Sequence, residues 1–167
     1  MADEHDEMQQ EPVSFRYNLD SLDDYIGTSA KLSDDGRVAE GIDVMREAAA
    51  RHPDAARAYY GLGVALMMAL KADLARQEIW EPLSDEEAMA EEAQDALQKC
   101  LSHDPEMWQA LTSLGTLLAV RGRMDKALEV WGRSLELNPD QPGVRTDMEM
   151  YLRKSAGPAE GDTDAAL

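Results

Sequence analysis

Apolar residues recur at steps of three and four through most of the chain between about residue 21 and residue 155. That spacing lays a stripe along one side of an α-helix. Short breaks rich in Gly, Pro and Asp separate consecutive helical segments. One segment departs from the single stripe. Residues 58 to 70, AYYGLGVALMMAL, pass without a charge in a chain that is 30% charged. A surface helix keeps a polar face. This helix is therefore either enclosed by protein or carries a second face that meets something. Strand-like alternation occurs in VSFRYNL, 13 to 19, where Val13, Phe15, Tyr17 and Leu19 occupy every second position.

The helical body repeats. Pro105 and Pro139 lie 34 apart, and the same step carries Ala93 to Ala127, Leu97 to Trp131 and Leu101 to Leu135. Pro53 and Pro105 lie 52 apart, and that step carries Gly41 to Ala93, Met45 to Leu97, Leu62 to Leu114, Gly63 to Gly115 and Leu66 to Leu118. A step of 52 is a period of 34 enlarged by an insertion of 18 in the middle unit.

A 34-residue period with Leu-Gly early, Ala in the middle and Pro at the end resembles the tetratricopeptide repeat. The third unit, ALTSLGTLLAVRGRMDKALEVWGRSLELNP, matches through Leu111, Leu114, Gly115, Leu118, Gly122, Ala127, Trp131, Leu135 and Pro139, with Ser134 in place of a usual Ala. The second matches through Tyr59, Leu62, Gly63, Leu66, Ala93, Leu97, Cys100 and Pro105. The first is weaker: it keeps Tyr25, Leu32, Gly36, Met45, Ala48 and Pro53, but has Thr28-Ser29 for Leu-Gly and Gly41 for Ala. The resemblance implies an all-α fold, a right-handed superhelix of three helix-turn-helix repeats plus a C-terminal capping helix. The expected units are about 22 to 55, 56 to 107 with an insertion near 70 to 88, and 108 to 141. The capping helix spans 142 to 155, completing a repeat domain of 21 to 155. Residues 1 to 20 read as a disordered acidic arm and 156 to 167 as a disordered tail.

In the insertion, Leu66, Leu70 and Leu74 continue a four-residue step, so the first helix of unit two is expected to run on toward Ile79 or Trp80 before Glu81-Pro82 breaks it. Ser84 with Glu87 forms a capping-box pattern that starts the next helix. The corner either protrudes, offering Ile79, Trp80 and Leu83 as contacts, or folds back on the repeats.

Composition agrees with helices. Apolar residues make up 44% and aromatics only 5%, and Ala, Leu and Met favour helix. A lone cysteine, Cys100, gives no intrachain disulfide framework. There is no signal-peptide pattern at the start, and no uncharged run long enough to span a bilayer. A cytoplasmic protein is the expectation. The net charge is −18 and the pI about 4.3, which disfavours nucleic acid and anionic lipid surfaces as partners. The acid excess also matches salt-adapted composition.

Residue patterns for catalysis are missing. Gly61-Leu62-Gly63 has Leu66 where a dinucleotide fingerprint needs Gly, and neither a phosphate loop nor HExxH occurs. Cys100 and His103 share a helix turn, but zinc needs more ligands than this pair. No metal, cofactor or catalytic residue is expected.

A binding groove is the stronger candidate. In the family this chain resembles, first helices line the concave side. The matching positions are Ile26 and Ala30 in unit one. They are Arg57, Tyr60, Val64, Met67 and Met68 in unit two, and Gln109, Thr112, Thr116, Ala119 and Val120 in unit three. Of Met67 and Met68, adjacent on a helix, one is expected in the groove and the other against a neighbouring helix. Relatives that clamp acidic chaperone tails use Lys, Arg and Asn in the groove. Here those places hold Ile26, Ala30, Gly61, Gln109 and Ser113, so no carboxylate clamp is expected. The 13 to 19 arm is expected either to lie extended on the repeats, even in the groove, or to move freely.

The expected function is non-catalytic binding of a protein or peptide segment, as an adaptor or assembly factor. One alternative is a small acidic secretion-type chaperone, since AYYGLG is reminiscent of the second repeat of type III translocator chaperones. Another is an accessory subunit of a membrane or enzyme assembly. A stackable repeat face also allows a homo-oligomer.

Overall fold

The computed structural model describes residues 12–76 and 84–155, which form eight α-helices and no strand. They are α1 Val13–Tyr17, α2 Leu22–Asp34, α3 Val38–Arg51, α4 Ala56–Arg76, α5 Ser84–His103, α6 Trp108–Val120, α7 Met124–Leu137 and α8 Pro142–Ser155. Helices α2/α3, α4/α5 and α6/α7 pair as hairpins. The hairpins stack so that α2, α4 and α6 lie side by side, and α8 packs on α7.

Local chemistry sets the helix ends. Ser21 and Asp24 form a reciprocal capping box at the start of α2. Gly36 and Gly122 carry the α2–α3 and α6–α7 turns with φ of +78° and +73°, a region costly for other residues. Pro53, Pro105 and Pro139 each stand two residues past the end of α3, α5 or α7, where the missing N–H cannot continue the helix.

The core runs through the stack and includes the fully buried Tyr25, Met45, Leu66, Leu97 and Trp131. Two close approaches hold hairpins together. A Cβ on Gly115 would stand 2.4 Å from Trp131 Cδ1, and one on Gly63 would stand 2.8 Å from Leu97 Cγ. Those glycines admit the large side chains of the second helix. At the far end Tyr151 of α8 tilts against Trp131, with ring centroids 6.3 Å apart.

The insertion is shared between two helices. Helix α4 has 21 residues and α5 has 20, against 13 and 14 in the third hairpin. The middle hairpin is therefore longer on both sides, by roughly two turns. Ile79, Trp80 and Leu83 lie outside the described residues.

The arm reading is corrected. Residues 13 to 17 are helical, not extended. The arm packs on α3, and none of its described residues lines the cavity between α2 and α4. Positions i and i+4 share a helix face as well as a strand face. Val13 and Tyr17 thus turn inward together, while Phe15 stays 75% exposed. Asn18 then adopts a left-handed φ of 54°, and Leu19 is buried in the core.

Candidate functional site

Between α2 and α4 lies a cavity of about 270 Å³. Ile26 and Ala30 line it from α2, and Arg57, Tyr60, Val64 and Met68 from α4. Six of the expected groove residues are therefore brought together. Met68 is 47% exposed and faces the cavity, whereas Met67 is half-buried against the core and does not line it. A helix turns about 100° per residue, so neighbours cannot share a direction.

Several lining residues escaped the sequence reading. Met45 reaches the cavity from α3 because Gly61 leaves room: a Cβ there would stand 2.4 Å from Met45 Cε. Gly61 was the available signal, a second glycine two places before the one the repeat requires. Ser29 and Ser33 also line the cavity, with their hydroxyls already used. Ser29 Oγ donates to the Gly41 carbonyl at 2.9 Å, and Ser33 Oγ to the Ser29 carbonyl at 3.0 Å.

The third unit extends the row differently. Val120 stands one repeat on from Met68 and is 68% exposed. Gln109 is exposed at the same register as Arg57 and Asp23. Thr112, expected in the groove, is half-buried and its hydroxyl is engaged within the protein. Its hydroxyl donates to Gln141 Oε1 at 2.6 Å and meets Ser134 Oγ at 2.7 Å. Gln141 is buried and donates to the Ser134 and Asn138 carbonyls. Thr116 Oγ1 donates to the Thr112 carbonyl at 3.0 Å. Gln109, Thr112 and Thr116 do not line the α2–α4 cavity.

The electrostatics are sparse. Arg57 pairs with Asp23 at 2.8 Å, both exposed, at the rim. Burial pushes the Tyr60 phenol above its usual pKa, partly offset by a hydrogen bond with Ser113. Burial, then the Asp104 charge, pushes the Cys100 thiol up to about 11, so it stays protonated at neutral pH. Cys100 Sγ contacts Met107 Sδ at 3.4 Å, and His103 stacks on Tyr59 at 5.6 Å. Among the described residues no three potential ligands cluster for a metal, and no helix is long and apolar enough to cross a membrane.

Solved structures share this arrangement of helices. The crystal structure of MamA is 18% identical, with a TM-score of 0.64 over 81% of this chain and 69% of MamA. The first tetratricopeptide domain of Spaghetti (RPAP3), bound to the HSP90 peptide SRMEEVD, is 12% identical, with a TM-score of 0.66 over 81% and 93%. The Yersinia enterocolitica type III secretion translocator chaperone SycD is 14% identical, with a TM-score of 0.63 over 82% and 96%. Identities this low speak for the fold alone. No curated protein sequence matches the chain. The family model described as tetratricopeptide repeat matches residues 32–79 and 90–142. With more than half of its length matched and its helix hairpins stacked in the family's manner, the chain belongs to the tetratricopeptide repeat family.

Proposed function

We propose that this protein is a non-catalytic interaction module that holds a partner segment in its concave groove. The observation that carries the reading is the apolar cavity between α2 and α4, walled by Ile26, Ala30, Tyr60, Val64 and Met68. It is concave and mostly uncharged, the character of a site that captures apolar side chains. Met68 adds an unbranched, adaptable surface. The fold likeness to a peptide-bound domain supports the reading. The groove lacks cations at the matching clamp positions, where Ile26, Ala30, Gly61, Gln109 and Ser113 stand. A partner chosen by apolar anchors fits it better than an acidic tail.

A second reading, a small acidic chaperone that shields an apolar client segment, draws on the fold likeness to SycD. Both readings use the same groove. The test is affinity purification with mass spectrometry, run in parallel on the wild-type chain and on Tyr60→Ala/Met68→Glu. The expected outcome is a partner at fixed stoichiometry that the variant retains at one tenth or less, with an unchanged helical circular dichroism spectrum. Equal recovery by a folded variant places the site elsewhere. A recovered client that is insoluble without the protein selects the chaperone reading.

A further inference from the structure

We infer that the occupant of the groove is an amphipathic α-helix rather than an extended peptide. This rests on the groove reading above and names the class of partner.

The argument starts from hydrogen-bond supply. An extended segment carries unpaired N–H and C=O groups, which burial penalises unless the host meets them. Hosts that bind extended segments offer a sheet edge, an aromatic-lined groove for polyproline segments or Arg clusters for acidic ones. The α2–α4 cavity is lined by one aromatic, Tyr60, and one cation, Arg57. This groove is walled by helices whose main chains are already paired. Its hydroxyl donors are spent internally: Ser29 on Gly41, Ser33 on Ser29, Thr116 on Thr112 and Thr112 on Gln141. Tyr60 is engaged with Ser113. What remains is a mostly apolar floor, with the polar Arg57 and Gln109 together at one register of its edge. A helix pairs its own main chain and brings only side chains to such a floor, the helix-in-groove mode.

The dimensions agree. Packed helices lie about 8–10 Å apart, and seven residues of helix rise about 10 Å. A helix crossing α2, α4 and α6 thus presents side chain i to the α2–α4 cavity and side chain i+7 to the exposed Val120 of α6. The i+3 or i+4 side chain rests on Val64 between them. Charge at the rim agrees too. Asp23 and Arg57 stand side by side and exposed. They complement a Lys and a Glu one turn apart on the polar edge of such a helix, while the uncharged floor complements its apolar stripe.

The test is phage display of random 20-residue peptides against the whole chain. Binders that also bind Val64→Glu or Met68→Glu proteins are scored separately, and both variants are checked for helical circular dichroism. The expected binders lose at least tenfold affinity for both variants and carry apolar residues at i, i+3 or i+4, and i+7. Proline at the peptide centre should weaken them at least thirtyfold, and α-aminoisobutyrate at outward positions should strengthen them several-fold. Groove-dependent binders that tolerate central proline and anchor at i and i+2 overturn the helix and leave the groove reading standing. Binders indifferent to both folded variants, or no enrichment at all, overturn both.

Discussion

Glycine serves opposite ends at two positions of the third unit. Gly115 faces Trp131, and a Cβ there would meet Cδ1 at 2.4 Å and Nε1 at 2.6 Å. Trp131 is fully buried and donates from Nε1 to the Thr112 carbonyl at 3.3 Å, so the ring cannot withdraw without losing that bond. Gly115→Ala is expected to destabilise the protein by about 1–3 kcal/mol through overpacking. Gly132 sits inside α7 with nothing within 4 Å of its Cβ position. Gly132→Ala should stabilise by about 0.5–1 kcal/mol from helix propensity alone. Denaturant melts of the two variants check the opposite signs. Gly115 was legible from its place in the period, because close approach is what that place demands. Ser134 was not. It reads as a small residue replacing Ala, yet its hydroxyl donates to the Trp108 carbonyl at 2.9 Å and meets Thr112 and Gln141. Gln141 lies past Pro139, the last position the period aligns, so no period could pair it with Ser134.

Among the elements, α1 shows how two periodicities alias. Alternation at every second residue contains the i, i+4 pair of a helix, and with no neighbouring strand to pair with, the short helix prevails. Polar clamps hold it. Tyr17 donates to Glu40 Oε2 at 2.7 Å and accepts from Arg37 at 2.9 Å, while the Ser14 amide donates to Glu47 at 3.3 Å. Hydrogen bonds from Arg37, then from Tyr17, lower the Glu40 pKa from 4.5 to about 2. Burial raises the Glu47 pKa, but Ser14 and Arg51 more than offset it, leaving it below its usual value. Both carboxylates have depressed values in the folded state. The Glu40 contribution is present above the ordinary pKa of 4.5 and fades as pH falls toward about 2, and the Glu47 contribution is likewise lost on acidification below 4.5. The expected outcome is that α1 leaves α3 within that window before the body melts. Backbone chemical shifts of residues 13–17, followed against shifts of α6, check this; simultaneous change in both would refute it. The middle hairpin was legible in both halves. Leu66, Leu70 and Leu74 announced a longer α4, and the capping-box pattern of Ser84 and Glu87 announced where α5 starts. What no local signal gave is that the two lengthen together, which depends on the antiparallel pairing.

At the scale of the whole molecule, acids outnumber bases by 34 to 16. Some of that charge ties neighbouring units together. Arg46 of α3 pairs with Glu92 of α5 at 2.6 Å. Arg121, just past α6 and 10% exposed, pairs with Glu87 and takes Gln94 Oε1 as a hydrogen-bond acceptor. Most exposed pairs contribute little, while a net charge of −18 repels itself throughout. Raising NaCl from 20 mM to 1 M is therefore expected to raise the melting temperature, because screening relieves more repulsion than attraction. Calorimetry measures it, and a fall would mean that the pairs between units dominate. The fold was legible because a period survives an insertion: the offsets 34 and 52 each align glycine, alanine and proline together. The position of the α2–α4 cavity, the candidate site, followed from the same register. Its floor did not, since Met45 enters from the other helix of the preceding hairpin. The longer middle hairpin has a consequence in time. In a stacked array each unit contacts only its neighbours, so folding starts at the strongest unit and spreads outward. Helices α4 and α5 share the longest seam, so they are expected to be the last to open. The groove then has one wall that opens last, α4, and one that opens sooner, α2. It opens by loss of its outer unit well before the molecule unfolds, and an occupant that spans both walls closes that route.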